Sequence, residues 1–164
     1  MKNRNPSRVL PPVLRRLPLS CFQPHGWLNE QLRLMVNGFY GHLEDISPYM
    51  VPTNGWLNFE QTIEEFQLNA RVKAGEPSAH YCQFAWEEQA YWLRGAYKLS
   101  VLTNNQMLHA ACEKYFDAIF KSVRSDGYFG PAVLRNIASK GSLVPDLWPH
   151  MIMADALRDY YEVT

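Results

Sequence analysis

The chain has 164 residues, the size of one ordinary domain or of part of a larger one. With 47% hydrophobic and 20% charged residues it can bury a core, and disorder is excluded as its default state. Lys+Arg and Asp+Glu each count 16, so the net charge of zero gives no electrostatic basis for nucleic acid or an anionic membrane as partner.

In chain order, residues 1–18 come first as a basic, proline-rich arm (Lys2, Arg4, Arg8, Pro11, Pro12, Arg15, Arg16, Pro18) that docks on the domain or stays loose. The arm has no apolar run of signal-peptide length, and no later stretch is long enough to span a membrane. A cytosolic protein is the default expectation; a true start upstream would hide an export signal. Residues 19–164 read as one helical unit. Leu28, Leu32, Met35, Val36 and Phe39 make a helical stripe over 26–43, weakened at its end by Gly38 and Gly41. From 44 to 85 the pattern is poor and broken by Pro48, Pro52, Gly55, Gly75 and Pro77, with one short helix around 59–69 (Phe59, Ile63, Phe66).

The segment 86–102 repeats apolar residues every three or four positions (Trp86, Ala90, Leu93, Tyr97, Val101). Gly95 inside it costs about 1 kcal/mol against alanine, which points to close packing against another helix. Residues 103–105 form a short connection with N-cap chemistry. The segment 106–123 carries the clearest stripe (Leu108, Ala111, Cys112, Tyr115, Ile119, Val123). So short a connection predicts an antiparallel helical hairpin. Residues 124–144 read as a loop, with room for a short helix around 132–138. A last helix runs from about 145 to 162, with Asp146 as candidate N-cap and Pro149 in the first turn, where its missing N–H is harmless. No alternating strand run occurs, so the expected class is all-α. Cys21, Cys82 and Cys112 form no CxxC motif or Cys/His cluster, so no metal, no cofactor and no disulfide scaffold is read, and Cys112 is expected in the core.

Following the chain direction through the tight turn gathers the long loops at the opposite end of the hairpin. That rim receives Trp86, Glu87 and Glu88, then Tyr128 and Phe129, then Asp146, Trp148 and His150. His42, Glu44 and Asp45 join them if the first helix ends there. Aromatics, carboxylates and histidines together are the composition of a carbohydrate cleft. Each also has a plainer role. Glu87 and Glu88 suit the first turn of any helix. Asp146 suits an N-cap, Trp86, Tyr128 and Trp148 suit packing, and His150 suits a satisfied histidine. No catalytic residue is readable.

Four runs carry a resemblance: GWLNEQLRLMVNGFYGHLEDI (26–46), WEEQAYWLRGAYKLSVLTNNQML (86–108), SDGYFGP (125–131) and DLWPHMIMADALRDYYEVT (146–164). In this order and spacing they resemble the N-terminal portion of the beta-L-arabinofuranosidase-like six-hairpin glycoside hydrolases. The resemblance implies an (α/α)6 barrel, of which 19–164 would be an incomplete N-terminal part, acting on a plant or bacterial glycan. It implies a sugar-binding role for Trp86, Glu87, Glu88, Tyr128, Asp146, Trp148 and His150. Characterised relatives use a zinc-held cysteine nucleophile and a glutamate acid/base in their later half, and nothing in this chain matches them. The expectation is therefore a carbohydrate as partner, together with the remainder of the barrel, and no hydrolase activity from this chain alone. The alternatives are a non-enzymatic helical-hairpin binding module and a non-functional truncated remnant.

Overall fold

A computed structural model describes residues 14, 16–50, 54–65, 68, 85–139 and 142–164. The described chain is mostly helical and all-α in class. Its helices are α1 (Gly26–Met35), α2 (Gly41–Ile46), α3 (Ala85–Thr103), α4 (Gln106–Lys121) and α5 (Trp148–Val163), with 3-10 turns at Leu19–Cys21, Gly55–Leu57 and Ala132–Asn136.

The core lies where α3 meets α4 and α5. Trp86, Ala90, Leu93 and Tyr97 of α3 are buried, as are Leu108, Cys112, Tyr115 and Ile119 of α4, so both apolar stripes turn inward. Val123 falls beyond the end of α4 and is exposed. Trp92 packs on Tyr115 (5.3 Å between ring centroids) and Tyr97 on His109 (5.5 Å), so α3 and α4 run antiparallel. Asn104 takes the left-handed conformation (φ 52°) and Asn105 caps α4, its side chain accepting a hydrogen bond from Leu108 N at 2.8 Å.

Two ion pairs set the direction of α5. Arg94 meets Asp155 at 3.8 Å and Lys98 meets Asp159 at 2.8 Å, each pair spanning 61 positions. Matching residues in ascending order mean that α3 and α5 lie parallel. Asp159 is 1% exposed, and its carboxylate also takes a hydrogen bond from the Arg16 guanidinium, whose Nε lies 3.6 Å from Glu162. The end of the basic arm thus docks on α5; residues 1–13 and 15 lie outside the described residues.

Several boundaries differ from the sequence expectation. The helix expected over 26–43 is interrupted by a π-helical turn, Val36–Tyr40, in which Gly38 leaves helical geometry (φ −105°, ψ −131°). The wide turn brings the Val36 carbonyl over residue 41, where a Cβ would stand 2.0 Å from the oxygen, so glycine alone fits. Of the expected stripe only Val36 is buried; Leu28 and Phe39 are exposed. Gly95 serves close packing, with the Tyr40 ring lying where its Cβ would be (2.5 Å to the hydroxyl). The short helix starts at Ile63 rather than 59, behind a reciprocal cap in which Thr62 N donates to Glu65 (2.8 Å) and Glu65 N to Thr62 Oγ1 (3.2 Å). Its continuation at 66, 67 and 69 lies outside the described residues, as do Pro52, Gly75, Pro77 and Cys82.

The segment read as loop contains a small antiparallel ribbon, β1 (Ile137–Ser139) with β2 (Ser142–Val144). Three residues a side are too few for alternation to be legible in sequence. The last helix begins at Trp148, and its N-cap is Leu147, not Asp146.

Candidate functional site

The rim opposite the Asn104–Asn105 turn is built on residues 54–61, a segment without regular periodicity. Gly55 (φ 58°) turns the chain so that Trp56 N donates to Gln89 Oε1 at 2.8 Å. Gln89 Nε2 in turn donates to the carbonyls of Tyr49 (2.9 Å) and Asn54 (3.2 Å), and Gln61 closes the loop by accepting from Gly55 N (2.8 Å). Gln89 lies on α3 and is 0% exposed, so one amide ties this loop to the core. Trp56 is 0% exposed too, and its indole N–H donates to the Trp86 carbonyl at 2.9 Å.

The loop after α4 folds over Trp56. Gly130 (φ 88°) lies so close that a Cβ there would come within 2.4 Å of the indole. Gly130 N donates to Ser122 Oγ (2.7 Å), and Tyr128 OH to the Pro131 carbonyl (2.7 Å). Arg135 pairs with Asp126 and stands over the Tyr128 ring (5.2 Å). The Asp126 carboxyl is held below its ordinary value by the Tyr128 N–H first and by Arg135 second.

His150 closes this arrangement from α5. Its ring lies 5.3 Å from Trp56, 5.1 Å from Tyr128 and 5.1 Å from Phe129. Nε2 donates to the Phe129 carbonyl at 2.7 Å, which fixes the Nε2–H tautomer of the neutral ring. Burial pushes its pKa below the usual histidine value, against the opposing pull of the Phe129 and Asp146 carbonyls. Beside it opens a concavity of ≈ 400 Å³ lined by Tyr128, Phe129, Leu147, His150 and Met151. Leu147 and Met151 are exposed, so the lining is apolar with one ring nitrogen group in its wall.

The residues expected at the rim divide into groups. Tyr128 and His150 line the concavity. Trp148 is next to it in sequence and 51% exposed, and Asp146 accepts a hydrogen bond from Trp148 N (3.0 Å). Glu87 and Glu88 are half-buried on the first turn of α3. Trp86 is 1% exposed; it is a core residue and presents no ring face to solvent. His42, Glu44 and Asp45 do not join the rim. His42 pairs with Asp45 (3.1 Å), and His42 and Glu44 line a separate cavity of ≈ 250 Å³ together with Asn105 and Met107 at the turn end of α3 and α4. Sequence reasoning missed Trp56, Gln89, Leu147 and Met151. The one available signal was a tryptophan in a Gly/Pro-punctuated stretch, Asn54-Gly55-Trp56.

Neither of the two described cysteines fits a zinc-thiolate nucleophile. Cys112 is 0% exposed and burial pushes its thiol far up, which keeps it protonated, while Cys21 is exposed and free. Among the described residues no group of three His, Cys, Asp or Glu side chains could hold a metal ion, and no helix is long and apolar enough to cross a membrane. Comparison with protein-family models, with curated proteins and with solved structures gives no match.

Proposed function

We infer that the chain forms the opening part of an (α/α)6 toroid of the six-hairpin glycoside hydrolase kind and supplies one wall of its sugar-binding cleft. The observation that supports this reading best is the alternation of helix directions. α3 and α5 are parallel neighbours, α4 returns between them, and the short turn and the long loop lie at opposite ends. Successive inner helices of such a toroid are parallel for this reason, since each is followed by an outer helix that runs back.

At the loop end the half-exposed ring of Trp148 and the edge of Tyr128 offer apolar faces to a sugar, and Asp146, Glu87 and Glu88 offer acceptors for its hydroxyls. Hydrolysis needs an acid and a base on opposite sides of the scissile bond. Glu87 and Glu88 are consecutive on one helix and diverge by about 100° around its axis, so they cannot face each other across a substrate. Their role is hydroxyl binding, and this chain alone hydrolyses nothing. The apolar lining by Phe129, Leu147 and Met151 favours a second reading, a non-enzymatic module that binds a peptide.

Titration of the chain with neutral furanose and pyranose oligosaccharides, followed by tryptophan fluorescence, tests the proposal beside an assay on aryl arabinofuranosides. Saccharide binding that Trp148→Ala abolishes, without turnover, is expected. Turnover by residues 1–164 would overturn the assignment of a wall without chemistry. Binding of apolar peptides and of no saccharide would establish the second reading.

A further inference from the structure

The cavity of ≈ 250 Å³ away from the rim lies between the π-helical turn, α2, Trp92 of α3 and the first turns of α4. It is more enclosed than the rim concavity. Its apolar walls are fixed by packing. The Tyr40 ring fills the space beside Gly95, and Trp92 Nε1–H donates to the Tyr40 carbonyl at 2.9 Å. Trp92 is buried, with its ring against Tyr115, and Met107 flanks the mouth from the start of α4. The polar lining has a sign. It includes Glu44 and His42 and no Lys or Arg. Glu44 is half-buried and takes part in no ion pair or side-chain hydrogen bond among the described residues. The Tyr115 hydroxyl, buried and without a hydrogen-bond partner among the described residues, is pushed up by burial first and by the Glu44 charge next, so that charge acts on the protein interior. His42 adds an acceptor. A carboxylate only accepts, so the proton between His42 Nδ1 and Asp45 Oδ2 (3.1 Å) belongs to the ring, and the neutral imidazole keeps Nε2 as a bare lone pair.

We propose that this cavity binds a small arylalkylammonium ion, with Glu44 pairing the ammonium group and Tyr40, Trp92 and Met107 enclosing the ring. Size sets the body of the ligand. A cavity of about 150 Å³ takes up one benzene molecule, so ≈ 250 Å³ has room for a ring and a short aminoalkyl arm and not for a drug-sized molecule. Charge sets its polar end. An ammonium group has three donors and no acceptor, which matches a lining whose uncommitted groups, Glu44 and His42 Nε2, accept. An alcohol of the same shape would leave a partly desolvated carboxylate without a counter-ion, and a carboxylate ligand would bring like charges together. The aromatic and thioether walls favour an aromatic body, and the two rings also attract the cation. The site shares no residue with the rim, so the inference does not rest on the glycan reading.

Titration of the full chain with 2-phenylethylamine tests the proposal, followed in proton–nitrogen correlation spectra at the Trp92 indole N–H and at the amides of His42 and Glu44. This amine is cationic at neutral pH, as a lysine side chain is. Saturable shifts at those positions are expected. The affinity should exceed that for 2-phenylethanol by about tenfold, the worth of one charge-assisted hydrogen bond, and 3-phenylpropionate should not bind. Glu44→Gln, checked for native helicity by circular dichroism, should lower the affinity for the amine to that for the alcohol and leave the alcohol unaffected. The ligand series on the native chain needs no variant, so a folding defect in Glu44→Gln leaves the test intact. No saturable shift at millimolar amine, equal affinity for amine and alcohol, binding of 3-phenylpropionate as tight as that of the amine, or shifts centred on Tyr128 and His150 each overturns the proposal.

Discussion

Replacing Gln89 by methionine isolates the hydrogen bonds that hold the floor of the rim. Methionine has a similar length and volume, so no cavity is created and the change is confined to polar partners. Trp56 N–H loses its acceptor at 2.8 Å in a position sealed from water, which costs about 1–3 kcal/mol. The Tyr49 and Asn54 carbonyls lose a donor at 2.9 and 3.2 Å, at about 1 kcal/mol each. Because the three share one amide, their losses arrive together, and the expected total is about 3–5 kcal/mol. For a chain of this size that lowers Tm by roughly 5–15 °C. Urea unfolding followed by tryptophan fluorescence measures it, and amide exchange at Trp56 reports the local cause. Saccharide binding should weaken in the same variant, since Trp56 supports His150 and Phe129 in the concavity wall. A stability change below about 0.5 kcal/mol, within the range of an ordinary surface substitution, with unaltered exchange at Trp56, would refute the claim that this amide anchors the rim.

Other perturbations have defined outcomes. Gly130→Ala adds a methyl group 2.4 Å from the Trp56 ring at a φ of 88°, and should cost about 2–4 kcal/mol in chemical denaturation from overpacking and left-handed strain together. His150 has a folded pKa below its unfolded value, so the unfolded chain binds the extra proton more readily. Its contribution is complete above the ordinary histidine range and is lost as pH falls through that range toward the folded pKa; the urea midpoint of the native chain should drop between pH 7 and 5 more steeply than that of His150→Gln. Asp159→Ala removes a carboxylate that Lys98 and Arg16 share. A loss of about 1–3 kcal/mol is expected, less than for a fully buried pair because both cations retain access to water, and protease cleavage near Leu17 should accelerate.

The parts of the fold legible in sequence are those decided within one helix. The stripe Leu108, Cys112, Tyr115, Ile119 depends only on 3.6-residue periodicity, and it is buried as expected. Asn105 caps α4 through the N–H of Leu108, three residues away, and Gly95 declared a close neighbour without naming Tyr40. The rim residues Tyr128 and His150 could be grouped because a short turn forces two long helices antiparallel and sends the later chain to one end.

What stayed illegible depends on who covers whom. Trp86 and Trp148 have the same chemistry and each opens a helix, yet one is 1% and the other 51% exposed. The difference is that Trp86 belongs to the buried cluster that also holds Trp56, whose indole donates to the Trp86 carbonyl, while Trp148 lies outside that cluster. The loop carrying Trp56 is held by Gln89 across 33 positions, a pairing with no periodic trace. Asp159 likewise reads as a surface acid on an apolar helix until Lys98, from the middle of the chain, and Arg16, from its N-terminal part, pair with it. Periodicity records the free energy of burying one face of one element. Which face meets which loop is set by side-chain geometry summed over distant segments, and only the tertiary structure decides that.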